Sequence, residues 1–147
     1  MAISTKSRYA IRALVYLADI SENKGEKLVS IREIGKNEGI SARYLENIFF
    51  KLKKTGFLKG VKGDKGGFKL AKDPKKISLL EVMLALDKNI FPVGCAIKPE
   101  TCPRGSKCHM HDVWTDYVKI TEKFFGSKSL FDVMKNCPKL KTKKKKN

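Results

Sequence analysis

The stretch that most limits what this chain can become is Gly39-Ile40-Ser41, because of what lies on either side of it. Upstream, Ser30 can cap a short helix over Ile31 to Glu38, with Ile31 and Ile34 facing inward. Gly39 can take the left-handed conformation that closes a helix, Ile40 can bury between two helices, and Ser41 can cap the next one. Downstream, Tyr44, Leu45, Ile48, Phe49 and Leu52 recur at helical spacing and make one apolar face. Arg43, Glu46, Asn47, Lys51, Lys53 and Lys54 lie on or flank the other. Helix, glycine turn, helix with a polar and basic outer face is the pattern of a helix-turn-helix. Phe57 to Lys62 then reads as a strand, Gly63-Asp64-Lys65-Gly66-Gly67 supplies turn residues able to take positive φ, and Phe68-Lys69-Leu70 returns. A hairpin directly after a recognition helix is a wing.

The flanking segments fill out a mainly α fold. Ser4 or Thr5 can cap a first helix with Ala10, Leu14, Leu17 and Ala18 on its apolar side, ending at Asn23-Lys24-Gly25. Asp73-Pro74 breaks the chain, Ser78 caps a helix from Leu79 to Leu86, and Phe91-Pro92 closes that region. Beyond His111, the apolar residues Val113, Trp114, Tyr117, Val118, Ile120, Phe124 and Phe125 mark a long helix. So small a domain seldom needs that much aromatic surface for itself, so the helix is expected to pair with its copy in a symmetric dimer; the alternative is an ordinary core helix. Leu130 to Met134 reads as a last short helix, and Cys137-Pro138 with the following lysines reads as a disordered tail.

The expected organisation is therefore a winged helix-turn-helix domain over 1–74, a connecting helix over 75–93, and a cysteine-rich loop over 94–111. A dimerisation helix with a short terminal helix follows over 112–135, and a lysine-rich tail over 136–147. At 147 residues the chain can bury a moderate core without staples. Lys+Arg number 32 against 15 Asp+Glu, a formal net charge of +17, and removing the six lysines of the tail still leaves a basic body. Such a field favours polyanions, nucleic acid first. There is no secretory pattern and no apolar run long enough for a membrane span, so the expected location is the cytoplasm, where thiols stay reduced.

Three of the four cysteines and both histidines fall in one polar loop with the spacing Cys95-x6-Cys102-x5-Cys108-x2-His111. Thiolates collected on a flexible loop suit a soft or borderline metal. If the next helix starts at Cys108, that residue and His111 share one face, with Cys95 and Cys102 folding back onto the corner. Tetrahedral zinc is one reading, although structural zinc usually prefers cysteine pairs two to four residues apart. Wider loops suit an iron–sulfur cluster. His109 competes as a ligand, but its position next to Cys108 makes joint ligation awkward, and Cys137 reads as a free cysteine on a loose end, with a spare ligand or a reactive thiol as the alternatives. A cysteine-dependent enzyme using Cys108 or Cys137 is the remote alternative, since no further histidine or glycine-rich cradle completes such a site.

On the DNA side, a recognition helix in a major groove points its N-terminal residues at base edges. Arg43 suits guanine, Glu46 can accept from a cytosine amino group, and Asn47 can address adenine; Ser41 and Tyr44 are placed for phosphates. Lys53 adds charge at the far end of the helix, and Lys62, Gly63 and Lys65 at the wing tip can reach phosphates or a minor groove.

Several motifs, taken in order, carry a resemblance: Ser-Arg-Tyr-Ala at 7–10, Gly-Ile-Ser-x-x-Tyr-Leu-Glu at 39–46, Leu-x-x-x-Gly at 52–56, Lys-Gly-x-x-Gly-Gly-Phe at 62–68, and the cysteine loop running on to Trp114. The chain resembles IscR, NsrR and their relatives, dimeric winged-helix repressors of which several carry an iron–sulfur cluster. The resemblance covers residues 1 to 135. It implies that Cys95, Cys102, Cys108 and His111 ligate the cluster, 2Fe–2S in preference to 4Fe–4S. It also implies that Ser41, Arg43, Tyr44, Glu46 and Asn47 enter the major groove while the 62–65 wing tip enters the minor groove.

This chain departs from that pattern in three places. Its first cysteine gap is six residues, where IscR-like loops commonly have five. Some relatives donate a carboxylate from the start of the first helix, but Thr5-Lys6-Ser7-Arg8 offers none, which favours His111. The wing lacks the family's arginine followed by Gly-Pro. The expected function is a homodimeric repressor that binds an operator duplex and senses cluster, redox or nitric oxide status, with no enzyme activity and no small-molecule substrate. A regulator with a structural zinc site, or with a thiol-based redox switch, is the alternative.

Overall fold

The computed structural model describes residues 3–91 and 93–136. Pro92, Cys137 and the lysine-rich tail, all singled out in the sequence, lie outside the described residues. Among those described, six α-helices and one two-stranded antiparallel hairpin form a mainly α winged helix-turn-helix fold.

Helix α1 (Thr5–Lys24) starts where Ser4 Oγ accepts the Ser7 N–H at 3.0 Å, and its Ala10, Ala13, Leu14, Leu17 and Ala18 are buried. Helix α2 (Ile31–Glu38) is capped by Ser30, whose hydroxyl accepts the Glu33 N–H at 3.1 Å. Gly39 then sits at φ 65°, a conformation that a Cβ disfavours, and Ile40 closes the turn by donating its N–H to the Gly35 carbonyl at 3.0 Å. Helix α3 (Ala42–Lys54) begins at once, because Ser41 Oγ accepts the Tyr44 N–H at 3.2 Å. The serine and glycine spacing alone thus fixes both ends of the turn.

Strands β1 (Leu58–Val61) and β2 (Gly67–Leu70) pair with Leu58 opposite Leu70 and Val61 opposite Gly67. The first strand is shorter than the Phe57–Lys62 run in the sequence. Phe57 gives its N–H to the Leu52 carbonyl at 2.9 Å, finishing α3, and only its carbonyl faces the hairpin, accepting the Ala71 N–H at 2.9 Å. The hairpin is hooked to the α1–α2 connection, where Val29 and Phe68 exchange both backbone hydrogen bonds at 2.9 and 2.8 Å. Gly67 makes that approach possible, since a Cβ there would lie 2.7 Å from the Val29 backbone. Phe68 also packs edge-on against Phe49, ring centres 5.0 Å apart, which joins the wing to α3.

Helix α4 (Leu79–Leu86) opens on a reciprocal cap, the Ser78 hydroxyl accepting the Glu81 N–H and the Glu81 carboxylate accepting the Ser78 N–H at 2.8 Å. Helix α5 (His111–Gly126) follows the cysteine loop. Helix α6 (Leu130–Asn136) turns back: Leu130 N–H reaches the Ile77 carbonyl at 2.9 Å and Leu79 N–H the Lys128 carbonyl at 2.8 Å. One core results, containing Leu14, Ile34, Leu45, Ile48, Phe49, Leu52, Ile77, Val82 and Leu130, so residues on both sides of position 74 share it.

Candidate DNA interface and cysteine loop

Burying Leu45, Ile48, Phe49 and Leu52 turns the opposite side of α3 outward. Arg43, Glu46, Asn47, Lys51, Lys53 and Lys54 are all exposed there. Ser41 is exposed, with its hydroxyl oxygen engaged as the helix cap. Tyr44 is half-buried: its ring stands edge-on to Tyr9 at 5.7 Å, at the border between the core and the outer face. Arg12 stacks over the same Tyr9 and pairs with Glu38 at 3.3 Å, which ties α1 to the end of α2. The outer face also holds a side chain that the sequence patterning passed over. Phe50 is 72 % exposed, in the middle of the polar residues. Its signal was the pair Phe49-Phe50, of which only one member can face a helix-period core.

Lys62, Gly63 and Lys65 are exposed at the hairpin tip, as the turn chemistry implies; Gly63 has φ 107° and its carbonyl accepts the Gly66 N–H at 2.9 Å. Lys69, further down the wing, is held by Glu26 at 2.7 Å. The ion pairs among the described residues are Arg12–Glu38, Lys69–Glu26 and Lys119–Asp116. None involves Arg43, Lys53, Lys62 or Lys65, so these four cations are not held in ion pairs, although Glu46 and Asp64 lie exposed among them. That is the electrostatic footprint of a phosphate-binding surface.

The cysteine loop is a chain of three short 3₁₀ turns, Gly94–Ala96, Pro99–Thr101 and Gly105–Lys107, with Cys95 in the first and Cys102 and Cys108 ending the other two. All three thiols are free and partly exposed. The backbone N–H groups of Arg104 and Gly105 are directed at Cys102 and, with the Cys95 thiol and the Arg104 charge, hold its thiol below the ordinary range. Helix α5 starts at His111, not at Cys108, so those two do not share a helix face as the sequence suggested. They are joined by a turn, His111 N–H to Cys108 carbonyl at 3.0 Å, and no side chain caps the helix at Met110. His109 is exposed and His111 half-buried. Among the described residues no three His, Cys, Asp or Glu side chains converge as a ready-made metal site. The donor chemistry nevertheless suits a thiophilic metal: partly exposed thiols, an imidazole, and backbone amides already aimed at one sulfur.

Helix α5 carries a different kind of surface. Only Val118 and Thr121 are buried, whereas Val113, Ile120 and Phe124 are 53, 68 and 56 % exposed. With half-buried Tyr117 they recur at spacings of four, three and four, which aligns them along one side of the helix.

A helix-turn-helix joined to a wing, with its cations on the protruding face, defines a winged-helix DNA-binding transcriptional regulator and not an enzyme. The comparisons with known proteins give the same class and narrow it. Residues 3–136 match Rrf2, described as an iron-dependent transcriptional regulator, and the chain belongs to that family. It is 35 % identical over 136 residues to the HTH-type transcriptional regulator IscR of Xenorhabdus nematophila, covering 92 % of this chain and 80 % of that one. It is 33 % identical over 142 residues to protein rrf2 of Nitratidesulfovibrio vulgaris, covering 95 % and 93 %. Among solved structures, IscR of T. potens superposes with a TM-score of 0.70 at 28 % identity, covering 92 % of this chain and 88 % of that one. CymR, the global cysteine regulator of B. subtilis, shares the fold with a TM-score of 0.74 at 24 % identity, over 94 % and 99 %. No described helix is long and apolar enough to cross a membrane.

Proposed function

We propose that this regulator works in the cytoplasm as a homodimeric repressor that senses iron–sulfur cluster, redox or nitric oxide status through its cysteine loop. Cys95, Cys102, Cys108 and His111 would hold the cluster, 2Fe–2S in preference to 4Fe–4S. Support comes from the donor set itself, with Cys102 favoured as a thiolate by the Arg104 and Gly105 amides, and from the likeness to IscR proteins. When bound, such a cluster supplies a redox-sensitive, removable link among these four side chains.

The loop's place in the chain gives that link something to act on. It follows α4, whose Val82 and Leu86 lie in the core of the reading head, and it leads directly into α5 with its exposed seam. Holding Cys95 and His111 together restrains the path from head to pairing helix, and two linked heads must match two half-sites at a fixed spacing. A ligand shifts such an equilibrium only by binding one arrangement better than the other. On the DNA, Arg43, Glu46 and Asn47 would read base edges, Ser41, Tyr44 and Lys53 would hold phosphates, and Lys62, Gly63 and Lys65 would extend the grip along the wing. The observation that carries the proposal is the gathering of three cysteines and His111 on the one segment that connects those two parts.

Anaerobic purification tests it. The expected product is coloured and contains iron and acid-labile sulfide, both lost when Cys95, Cys102 and Cys108 are replaced by Ala, with a change in operator affinity at fixed salt. A colourless protein with stoichiometric zinc would refute the cluster. Unchanged metal content and unchanged affinity in the triple variant would refute any sensing role for the loop.

A further inference from the structure

Phe50 is the most exposed of the large apolar side chains among the described residues, at 72 %. Leaving a phenylalanine in water forgoes the burial that normally places it in a core, so the neighbours of an exposed one indicate what covers it. Here its neighbours on the outer face of α3 are polar. At 100° per residue Phe50 falls between Arg43 and Glu46 on the helix wheel. It lies one turn beyond Glu46 and Asn47 and one turn before Lys53 and Lys54. A protein partner offering an apolar patch would have to desolvate the charges of Arg43, Glu46, Lys53 and Lys54 around it. A duplex offers phosphates to the cations and, on the groove floor between them, one apolar group: the C5-methyl of thymine. Phe50 also sits about 4.5 Å further along the helix axis than Asn47, which corresponds to the next one or two base-pair steps.

We propose that Phe50 is a specificity-determining residue that reads a thymine by burying its C5-methyl against the ring, beside the bases addressed by Glu46 and Asn47. The inference rests on α3 being the base-reading helix and adds to it a preference that hydrogen-bonding residues alone would not impose. Removing the methyl from that thymine removes the contact while leaving every hydrogen-bonding group of the base pair in place.

The test uses the full chain as purified anaerobically. Binding sites are first selected from a random duplex pool. Each thymine of the selected site is then replaced singly by deoxyuridine, and affinity is measured at fixed salt for the wild type and for Phe50→Ala, whose helix content is checked by circular dichroism. One thymine position is expected at which uracil weakens wild-type binding by about fourfold, the worth of one buried methyl. Phe50→Ala should lose that sensitivity while keeping the wild-type dependence on salt. Site selection with uracil insensitivity at every thymine would overturn the inference and leave α3 as the reading helix. So would equal uracil sensitivity in the two proteins, or a Phe50→Ala effect confined to oligomeric state. Failure to select any sequence would overturn the base-reading role of α3, and this inference with it.

Discussion

Asp87 shows how much one side chain can hold. Its Oδ2 accepts from the hydroxyls of both Ser4 and Ser7, the latter at 2.6 Å, and so ties the start of α1 to the end of α4. Ser7 is fully buried, and its hydroxyl loses this acceptor if the carboxylate is removed. Asp87→Ala is expected to lower stability by about 1–3 kcal/mol, the cost of stranding a buried donor. Urea unfolding followed by circular dichroism measures it, and pairing the change with Ser7→Ala should recover part of the loss, because the stranded donor goes too. The sequence could not reveal this contact. Ser4 as a helix cap is a local relation over three residues, readable from spacing, whereas Ser7 and Asp87 are 80 positions apart. Phe50, by contrast, was legible and overlooked: with Phe49 in line with Leu45, Ile48 and Leu52, the adjacent ring falls on the polar side of α3.

Among the elements, the helices that open on a serine were legible and the segments without such a signal were not. Ser30, Ser41 and Ser78 each accept the backbone N–H three residues on, and α2, α3 and α4 begin at the next residue. The start of α5 has no side-chain cap, and its position follows from the turn between Cys108 and His111, which spacing alone misplaced. The three 3₁₀ turns of the loop likewise depend on Gly and Pro contacts that carry no periodicity. The caps have a consequence for acid stability. The Ser78 backbone N–H, and then its hydroxyl, hold Glu81 below the ordinary carboxylate range, and Ser129 does the same for Asp132. A carboxyl lowered on folding adds stability that is complete above the unfolded carboxyl's range and is lost as pH falls through the lowered value. Between about pH 7 and about pH 3, Glu81→Gln should therefore unfold at lower denaturant than the wild type, with the gap closing toward the acid end. A gap that stayed constant with pH would show that the glutamate acts through packing and not through its charge.

For the whole molecule the question is what covers the outer side of α5. Helix α6 does not: it turns back onto α1, burying Leu130 with Ile77, and leaves Val113, Ile120 and Phe124 in solvent. The aromatic content of this helix was plain in the sequence, but it could equally have filled a core. In the structure α5 packs Phe125 against the core and turns Val113, Ile120 and Phe124 away from it. A second copy packed along the same seam would bury these residues and set two reading heads at a fixed distance, as a two-half-site operator requires. Ile120→Lys combined with Phe124→Glu should then give a monomer by sedimentation, with helix content kept, because neither residue contributes to the head's core. Operator binding should weaken far more than nonspecific binding, since a lone head keeps its cations and loses only the linkage that makes the second contact intramolecular. If the double variant stayed dimeric and bound its operator as tightly as the wild type, the seam on α5 would be serving some other partner, and the loop before it would have no second head to position.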